Sequence, residues 1–316
     1  MKIGLIDVDG HNFPNLALMK LSAWHKSQGD QVEWYEPLLG GHYDRVYMSK
    51  VFSFSPDYEY PVHATEIIKG GTGYNIKLVD GKEVYTKDKA LLYPIEHIYP
   101  DYDLYGITDT AYGYMTRGCP RGCDFCIVGE KEGRKTYTVA RLSEFWHGQK
   151  NIVLLDPNPI AAPDWRGNFR QLIDSKAWVD FNQGVDIRMM TKAKVEMLKQ
   201  IKMKTVHFAW DRMKDEKQVL ENIAMFTEIT GWDRHKIQVY VLTNFNTTLE
   251  QDLERIYKLK ALNVSPYVMI YDKEHLPKGH VLRKVQRWAN SRNIFYSVEN
   301  FEDYNTKQQG IVQNSN

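Results

Sequence analysis

Apolar and polar positions alternate at the start of the chain in a pattern that predicts strands around one helix. An apolar run at residues 2–8 predicts a strand, and an apolar stretch at residues 15–28, ended by Gly29, predicts a helix. Residues 32–34 alternate with polar neighbours as in a second strand, and residues 45–54 predict a third. This β-α-β-β order favours an open, mostly parallel, Rossmann-like sheet.

A polar stretch rich in Tyr and Pro, residues 74–112, is interpreted as a linker. Beyond it, short apolar runs alternate with helical patterns, which is typical of repeated βα units and a parallel sheet. A closed eight-unit barrel needs roughly 250 residues, so the shorter remaining span favours a partial (β/α)6 TIM-type barrel. The six runs are residues 111–116, 151–155, 178–187, 205–210, 237–242 and 266–271.

The predicted fold class is therefore α/β, with three segments along the chain. We expect a Rossmann-like domain with its linker at residues 1–100, a partial barrel at residues 101–300, and a polar, disordered tail at residues 301–316. Helix start signals support the barrel pattern. Thr191 precedes one helical stretch, and residues 247–250 can form a capping box before another.

Net charge and hydropathy limit the partners and the cellular location that we expect for the protein. The 41 Lys and Arg residues nearly balance 40 Asp and Glu, and a net charge of +1 gives no overall attraction to nucleic acid or an anionic membrane. No apolar stretch approaches the roughly 18 residues of a membrane span. The first apolar run carries charge and lacks a small-residue cleavage site, so it predicts a strand rather than a signal peptide. We expect a cytoplasmic protein without a membrane partner.

The first candidate functional residues are the three cysteines, Cys119, Cys123 and Cys126. They lie within eight residues of each other. Tight clustering of an odd number of cysteines favours metal ligation over disulfide bonds. The CxxxCxxC motif follows the first predicted barrel strand, where parallel α/β proteins place ligands. Gly118 and Gly122 give this loop the backbone freedom for three thiolates to converge on an iron–sulfur cluster with one open iron.

Other interpretations of the cysteines stay open. A zinc site would need a fourth ligand, for which His97 and His147 are candidates, although neither lies at zinc-finger spacing. Three unpaired core cysteines would need no metal. A non-catalytic iron–sulfur protein for electron transfer or sensing is a further alternative, but a ferredoxin-type carrier uses a fourth cysteine, which this sequence lacks.

The cysteine motif, with aromatic Phe125 directly before the last cysteine and βα repeats after it, resembles the radical S-adenosylmethionine (SAM) superfamily over roughly residues 111–300. The resemblance implies that Cys119, Cys123 and Cys126 hold a 4Fe–4S cluster and that SAM binds the fourth iron. Reductive cleavage of SAM would give a 5′-deoxyadenosyl radical, which abstracts hydrogen from a substrate that the sequence does not identify. Phe125 would lie near the adenine. An external donor such as flavodoxin or ferredoxin would supply the electron.

The same resemblance implies that polar residues after the later strands contact SAM. Asp156 and Asn158 stand where the family has a Gly-Gly-Glu type turn that contacts the methionine amine. Gln183 and Arg188 lie at the end of the third run, where an arginine can hold the SAM carboxylate or ribose. The alternative for Arg188 is an internal ion pair with Asp186 or Asp156.

Two further positions belong to this set. Asp211 follows the fourth run, where relatives often have an acidic residue, and Asn244 follows the fifth as a candidate contact to adenine or ribose. The alternative for Asn244 is an ordinary turn residue. No catalytic side chain is implied beyond the cluster.

The N-terminal segment resembles the cobalamin-binding domains that precede many radical SAM domains. Residues 9–14 match the D-x-H-x-x-G motif of histidine-ligated cobalamin domains, except that Pro14 stands in place of the final glycine. Bound cobalamin would imply a cobalamin-dependent radical SAM methyltransferase. The alternative is a degenerate sheet that packs against the barrel as a scaffold.

Overall fold

A computed structural model of the 316-residue protein describes residues 1–79, 82–86 and 91–304. It has a mixed α/β architecture with parallel sheets, which confirms the predicted fold class at that level. Among the described residues, no helix combines the length and the apolar character needed to cross a membrane.

The chain divides into two compact units, Met1–Val179 and Asp180–Asn316. This division falls inside the predicted barrel segment, residues 101–300. The three predicted segments therefore stay a prediction. Residues 305–316 of the predicted tail lie outside the described residues.

The first unit alternates strands with helices. Its strands are β1 (Lys2–Asp7), β2 (Gln31–Trp34), β3 (Tyr43–Ser49), β4 (Ala64–Gly70), β5 (Ile76–Val79), β6 (Lys82–Tyr85), β7 (Thr110–Gly113), β8 (Thr116–Arg117), β9 (Tyr137–Thr138), β10 (Asn151–Leu154) and β11 (Trp178–Phe181), which runs across the boundary. Its helices are α1 (Leu16–Ser27), α2 (Thr72–Asn75), α3 (Tyr93–Glu96), α4 (Val128–Lys131) and α5 (Trp165–Ser175), with 3-10 turns at Tyr102–Tyr105, Leu142–Glu144 and Pro159–Ala161.

Strands β1 to β4 form a parallel sheet in the order β2-β1-β3-β4. The first strand, the first helix and the second strand occur as the apolar pattern predicts. The third strand ends at Ser49 rather than at residue 54. β4 is not predicted by the pattern, because most side chains of this edge strand are exposed and its sequence has little apolar periodicity.

Helix α1 begins at a polar cap and packs on this sheet. The Asn15 side chain accepts a hydrogen bond from the Leu18 N–H at 3.3 Å and donates through Nδ2 to Ser49 Oγ at 2.8 Å. Leu18 and Leu21 bury their side chains in one cluster with Leu5 of β1. The cap and the apolar face together fix α1 against the sheet.

The predicted linker, residues 74–112, contains regular structure. Strands β5 and β6 form an antiparallel pair, and α3 begins at Tyr93. Ile95 of α3 is buried in the cluster under α1, which explains why a polar segment without a sustained period nevertheless folds onto the first unit.

The second unit continues the alternation of helices and strands. Its helices and strands are α6 (Lys192–Leu198), β12 (Val206–Ala209), α7 (Glu216–Thr230), β13 (Ile237–Thr243), α8 (Leu249–Ala261), β14 (Ser265–Ile270), α9 (Val281–Asn290) and α10 (Arg292–Ser297). Its 3-10 turns are Ile187–Met189, Met213–Asp215, Lys273–His275 and Phe301–Asp303.

Each of the six predicted apolar runs overlaps one of the strands β7, β10, β11, β12, β13 and β14. They form two sheets, in the orders β11-β10-β7 and β12-β13-β14. The pairs β7–β10, β12–β13 and β13–β14 are parallel, as βα repeats predict. The third run ends its strand at Phe181 rather than at residue 187, because Gly184, with a φ of +78°, lies in a turn.

Two predicted helix starts are present, one of them shifted. The Thr191 side chain accepts from the Lys194 N–H at the start of α6. At α8 the capping box uses Thr248 and Gln251, one residue later than the predicted segment 247–250. The hydroxyl of Thr247 instead donates to a carboxylate inside the helix. Both threonine and glutamine satisfy N–H groups that the helix end leaves without intrahelical partners.

Candidate functional site

The cysteines lie in a loop of the first unit that joins two short antiparallel strands. β8 and β9 pair Thr116 with Thr138 and close the base of the loop, whose residues 118–136 we call the cysteine loop. Inside it, the Cys119 N–H donates to the Gly133 carbonyl at 3.2 Å. Because β8 follows β7 after two residues, the loop leaves from the carboxyl end of a parallel strand, as the sequence predicts.

Gly118 is required by both its backbone angle and the space around it. Its φ of +79° lies in the left-handed region, and an added Cβ would lie 2.1 Å from the Lys135 carbonyl oxygen. Its N–H donates to Glu132 Oε2 at 3.0 Å, and its carbonyl accepts from the Thr136 hydroxyl at 3.1 Å. The residue before Cys119 is therefore held by the returning half of the loop.

The three thiols differ in exposure. Cys119 and Cys123 are half-buried and Cys126 is exposed, and the Cys126 N–H donates to the Cys123 carbonyl at 3.0 Å. Phe125 between them is half-buried. Three thiolates on one loop match in kind the ligands that iron–sulfur clusters use. As they are arranged, no three His, Cys, Asp or Glu side chains in the described part of the chain form a group that could hold a metal ion.

Asp156 follows β10 and is engaged with the strand that leads into the cysteine loop. Its carboxylate accepts from the Met115 N–H at 3.1 Å, from the Thr116 N–H at 2.5 Å and from the Thr116 hydroxyl at 2.6 Å. Burial raises the pKa of Asp156 to about 6, although these hydrogen bonds favour the ionised form. These contacts tie Asp156 to the backbone that leads into the cysteine loop.

Asn158, two residues later, lies beside the first cysteine. Its Nδ2 donates to Cys119 Sγ at 3.5 Å, and the residue is only 2% exposed. This hydrogen bond fixes the Cys119 sulfur relative to the segment that follows β10. The structure thus brings together Asn158 and Cys119, two of the residues that the sequence assigned to one site.

Glu132 is a residue of the cysteine loop that the sequence does not single out. Besides the Gly118 N–H, it binds Arg117, whose Nη1 lies 3.2 Å from Glu132 Oε1. Arg117 also pairs with Glu96 at 3.3 Å, and its guanidinium lies 3.9 Å from the centre of the Tyr114 ring. Nothing in the spacing of Glu132 marks it, because its partners lie 14 and 15 residues earlier in the sequence.

In the second unit, Arg188 lies in a network of ion pairs. Its Nε lies 2.7 Å from Asp186 Oδ1, the internal pair that the sequence offered as an alternative, and its Nη1 lies 2.9 Å from Asp215 Oδ2. Asp215 also pairs with Arg212 at 3.1 Å. Two carboxylates therefore hold the Arg188 guanidinium in one orientation. Asp215 has no motif that would have identified it from the sequence.

Asp211 lies two residues after β12, and the pKa of its carboxyl group is raised. Burial raises the pKa of its carboxyl group to about 6, and the positive charges of Arg188 and Arg255 oppose this shift. The carboxyl group is therefore near its titration point at mildly acidic pH. This is the environment that enzymes use to tune a carboxylate, although structural networks do the same.

Arg255 of α8 anchors the ends of β12 and β13. The residue is fully buried, and it donates to the Trp210 carbonyl at 2.7 Å and to the Leu242 carbonyl at 2.8 Å. It pairs with Asp252 at 2.5 Å. Because Asp252 in turn holds Arg255, this buried ion pair fixes the backbone at Trp210, the residue directly before Asp211.

The two remaining predicted SAM contacts are exposed. Gln183 lies in the turn after β11. Asn244 has a φ of +63°, and its Nδ2 donates to the Tyr271 carbonyl at 2.9 Å. This hydrogen bond fits an ordinary turn residue, which is the alternative that the sequence offered for Asn244.

The region of the cobalamin-like motif is occupied by contacts within the first unit. His11 stacks on Trp34 with ring centroids 4.2 Å apart and meets Tyr105 edge-on at 5.7 Å. The Asp9 carboxylate accepts from the backbone N–H groups of Val51 and Phe52, at 2.5 and 3.3 Å. This arrangement does not fit cobalamin ligated by His11, because a corrin ring would have to displace the aromatic stack.

No protein-family model matches the chain, and no curated protein matches its sequence.

Proposed function

We propose that the protein is a radical SAM enzyme in which Cys119, Cys123 and Cys126 hold a 4Fe–4S cluster with one iron left for SAM. The observation that carries the proposal is the CxxxCxxC motif in a loop at the carboxyl end of a parallel strand. This sequence contains three cysteines, and three thiolates match a cluster with an open coordination position.

When bound, the cluster would supply the electron that cleaves SAM to a 5′-deoxyadenosyl radical. The chain itself positions the ligands. Gly118 allows the tight entry into the loop, and Asp156 fixes the preceding backbone through Met115 and Thr116. Asn158 donates a hydrogen bond to the Cys119 sulfur and so helps to orient it.

The proposal includes the SAM contacts and the finer fold. Phe125 is proposed near the adenine, with Gln183, Arg188, Asp211 and Asn244 as further contacts. The parallel sheet β1 to β4 supports a Rossmann-like N-terminal domain, and the βα repeats from β7 to β14 support a partial (β/α)6 barrel. We further propose a cytoplasmic location and a flavodoxin or ferredoxin as electron donor.

Anaerobic reconstitution of the full chain with iron and sulfide tests this proposal. We expect about four irons per chain and the brown visible absorbance of a 4Fe–4S cluster. Addition of dithionite and SAM should then yield 5′-deoxyadenosine, measured by liquid chromatography with mass detection.

A pair of variants within the motif supplies the control. Cys123→Ala should lose both the cluster and SAM cleavage, whereas Asp124→Ala, which changes the exposed neighbour, should keep both. Cluster retention and SAM cleavage in Cys123→Ala would contradict the ligand assignment. Absence of iron from the correctly folded parent protein would contradict the proposal as a whole.

A further inference from the structure

Lys50 is a buried cation at the end of a parallel strand. It directly follows β3 and is only 8% exposed. Lysine is almost never buried without a partner of opposite charge, because a buried charge costs free energy unless it is compensated. In the part of the chain that the structure describes, the Lys50 ammonium group forms no ion pair and donates no hydrogen bond. The folded chain therefore leaves this positive charge uncompensated.

The backbone of Lys50 is held on both sides by the turn after β4. The Lys50 N–H donates to the Gly70 carbonyl at 3.1 Å, and the Lys50 carbonyl accepts from the Gly73 N–H at 2.9 Å. An added Cβ at Gly73 would lie 2.7 Å from Lys50 Cγ, and one at Gly71 would meet the Lys50 carbonyl oxygen. Because these glycines have no side chains, the turn packs directly on the backbone and the stem of the lysine.

A second lysine at the same aromatic ring has a counter-ion. Lys69 Nζ lies 5.0 Å from the centre of the Tyr74 ring and 3.0 Å from Asp57 Oδ2, and the Lys69 side chain is 47% exposed. Lys50 Nζ lies 5.8 Å from the centre of the same ring. An aromatic face attracts a cation but does not neutralise its charge. Of these two ammonium groups, the more exposed one is paired and the buried one is not.

The position of Lys50 is one at which open parallel sheets bind ligands. The chain moves to one side of β1 to form β2 and to the other side to form β3, which gives the order β2-β1-β3-β4. Ligands of such sheets bind beyond the carboxyl ends of the strands, where the strand order changes direction. Lys50 follows β3 at this place, and the segment after β1 lies next to it, since Asp9 accepts from the Val51 N–H.

The chemistry around Lys50 defines the class of ligand. Its positive charge requires an anion, and the glycine turn presents backbone rather than side chains beside it. A compact ammonium group beside a glycine-rich turn suits a phosphoryl group, because the ammonium acts as a point charge and glycine allows close approach. A phosphoryl group carries up to two negative charges and three acceptor oxygens. It therefore compensates Lys50 more strongly than a carboxylate does.

We propose that Lys50, together with the turn at residues 70–73, binds the phosphoryl group of a small molecule at the carboxyl edge of the sheet β1 to β4. This site lies in the first unit and involves no residue of the cysteine loop. It does not depend on the proposed cluster, so it can be measured on the full chain without iron. Failure of either proposal leaves the other standing.

Thermal unfolding of the purified full chain with inorganic phosphate tests the site, with sodium chloride at equal ionic strength as the reference. Phosphate at about ten times its Kd should raise the Tm of the parent by about 2 °C or more, because it binds only the folded state. Absence of a shift with both inorganic phosphate and ribose 5-phosphate would overturn the proposal. An equal shift with acetate would also overturn it.

Ribose 5-phosphate and ribose identify the source of the phosphoryl group. A shift with ribose 5-phosphate at least as large as that with phosphate, and none with ribose, identifies a phosphate ester as the ligand. A shift with inorganic phosphate alone identifies free phosphate. An equal shift with ribose and ribose 5-phosphate would show that the phosphoryl group is not recognised, which would contradict the proposal.

Two lysine variants at the same ring form a matched pair. Lys50→Met removes the uncompensated charge and keeps a stem of similar length, so without phosphate it should be at least as stable as the parent. Its phosphate shift should be lost. Lys69→Met should keep the shift, because Lys69 is already neutralised by Asp57.

The comparison of these variants with the parent also removes the general effect of phosphate, which stabilises folded proteins by exclusion from their surface. An equal phosphate shift in Lys50→Met and the parent would overturn the assignment. A loss of stability in Lys50→Met without phosphate would overturn it as well, since it would show that Lys50 already has a partner in the chain.

Discussion

Asp156 and Thr116 are joined by two hydrogen bonds, since one carboxylate oxygen accepts from both the Thr116 N–H at 2.5 Å and the Thr116 hydroxyl at 2.6 Å. The two residues are 2% and 0% exposed. The pair connects the end of β10 with the strand that enters the cysteine loop. A change at either residue should therefore act on the loop without altering a cysteine.

Thr116→Val keeps the shape of the side chain and removes the hydroxyl donor. The free energy of unfolding should fall by about 1–2 kcal/mol, because the buried carboxylate loses one partner. Urea denaturation at pH 7 measures the change. Thr108→Val, at an exposed position before β7, is the control and should have a smaller effect. Equal stability of Thr116→Val and the parent would contradict the role of Asp156.

A comparison of Gly118→Ala with Gly133→Ala distinguishes the effect of a steric clash on stability from the effect of backbone strain. Both glycines have positive φ, +79° and +93°, but an added Cβ at Gly118 would meet the Lys135 carbonyl at 2.1 Å while Gly133 has nothing within 4 Å. Each substitution should cost more than about 1 kcal/mol from strain. Gly118→Ala should cost clearly more, and under the proposed function it should also impair cluster reconstitution. Denaturation curves in which the two variants coincide would contradict the clash.

Arg255→Met leaves the Asp252 carboxylate buried without its cation and also removes the donors to two strand-end carbonyls. Breaking a buried ion pair in this way should lower the free energy of unfolding by about 3–5 kcal/mol. Arg170→Met, at an exposed position of α5, is the control and should change stability by no more than about 0.5 kcal/mol. Chemical denaturation gives both values. A loss at Arg255 as small as that at Arg170 would show that the pair is not structural.

The raised pKa of Asp211, about 6 against an ordinary value of 3.8, predicts a pH-dependent effect of Asp211→Asn. Stability from a group with a raised pKa is fully present below its unfolded value and is lost as pH rises through its folded value. The parent should therefore lose stability relative to Asp211→Asn between about pH 4 and pH 6. Unfolding free energies at pH 4 and pH 7 test this. A constant difference between parent and variant would contradict the buried environment of Asp211.

Incubation with hydroxocobalamin tests the N-terminal motif. Because His11 stacks on Trp34 and Asp9 is bound to the backbone of Val51 and Phe52, we expect the protein to pass through gel filtration without the cobalamin spectrum. Trp34→Ala, which opens the stack, provides the comparison. Co-elution of cobalamin with the parent, and its loss in His11→Ala, would contradict this expectation.

Much of the strand pattern could be predicted, because it follows from local apolar periodicity. β1, α1 and the strands in the six predicted runs each carry local apolar side chains that are buried in the folded chain. β4 and the hairpin of β5 and β6 could not be predicted in this way. Their stability comes from hydrogen bonds to neighbouring strands, which any sequence of moderate β propensity can form.

In the candidate site, too, the local features could be predicted from the sequence and the long-range contacts could not. Spacing within one loop was enough to single out Cys119, Cys123 and Cys126, because a ligand set on adjacent turns is a local property. The partners of that loop are distant in sequence. Glu132 binds Gly118 across 14 residues and Asp156 binds Thr116 across 40, and no periodicity encodes such pairs.

The sequence by itself thus determined the α/β class, the alternation of strands and helices, and the loop that carries the thiols, since each depends on residues close together in the chain. Only the tertiary structure decided which side chains are already bound by other residues of the chain. Arg188 is held by Asp186 and Asp215, and Asp156 is held by Thr116. These assignments depend on burial and on distances between separate strands, which the order of residues does not contain.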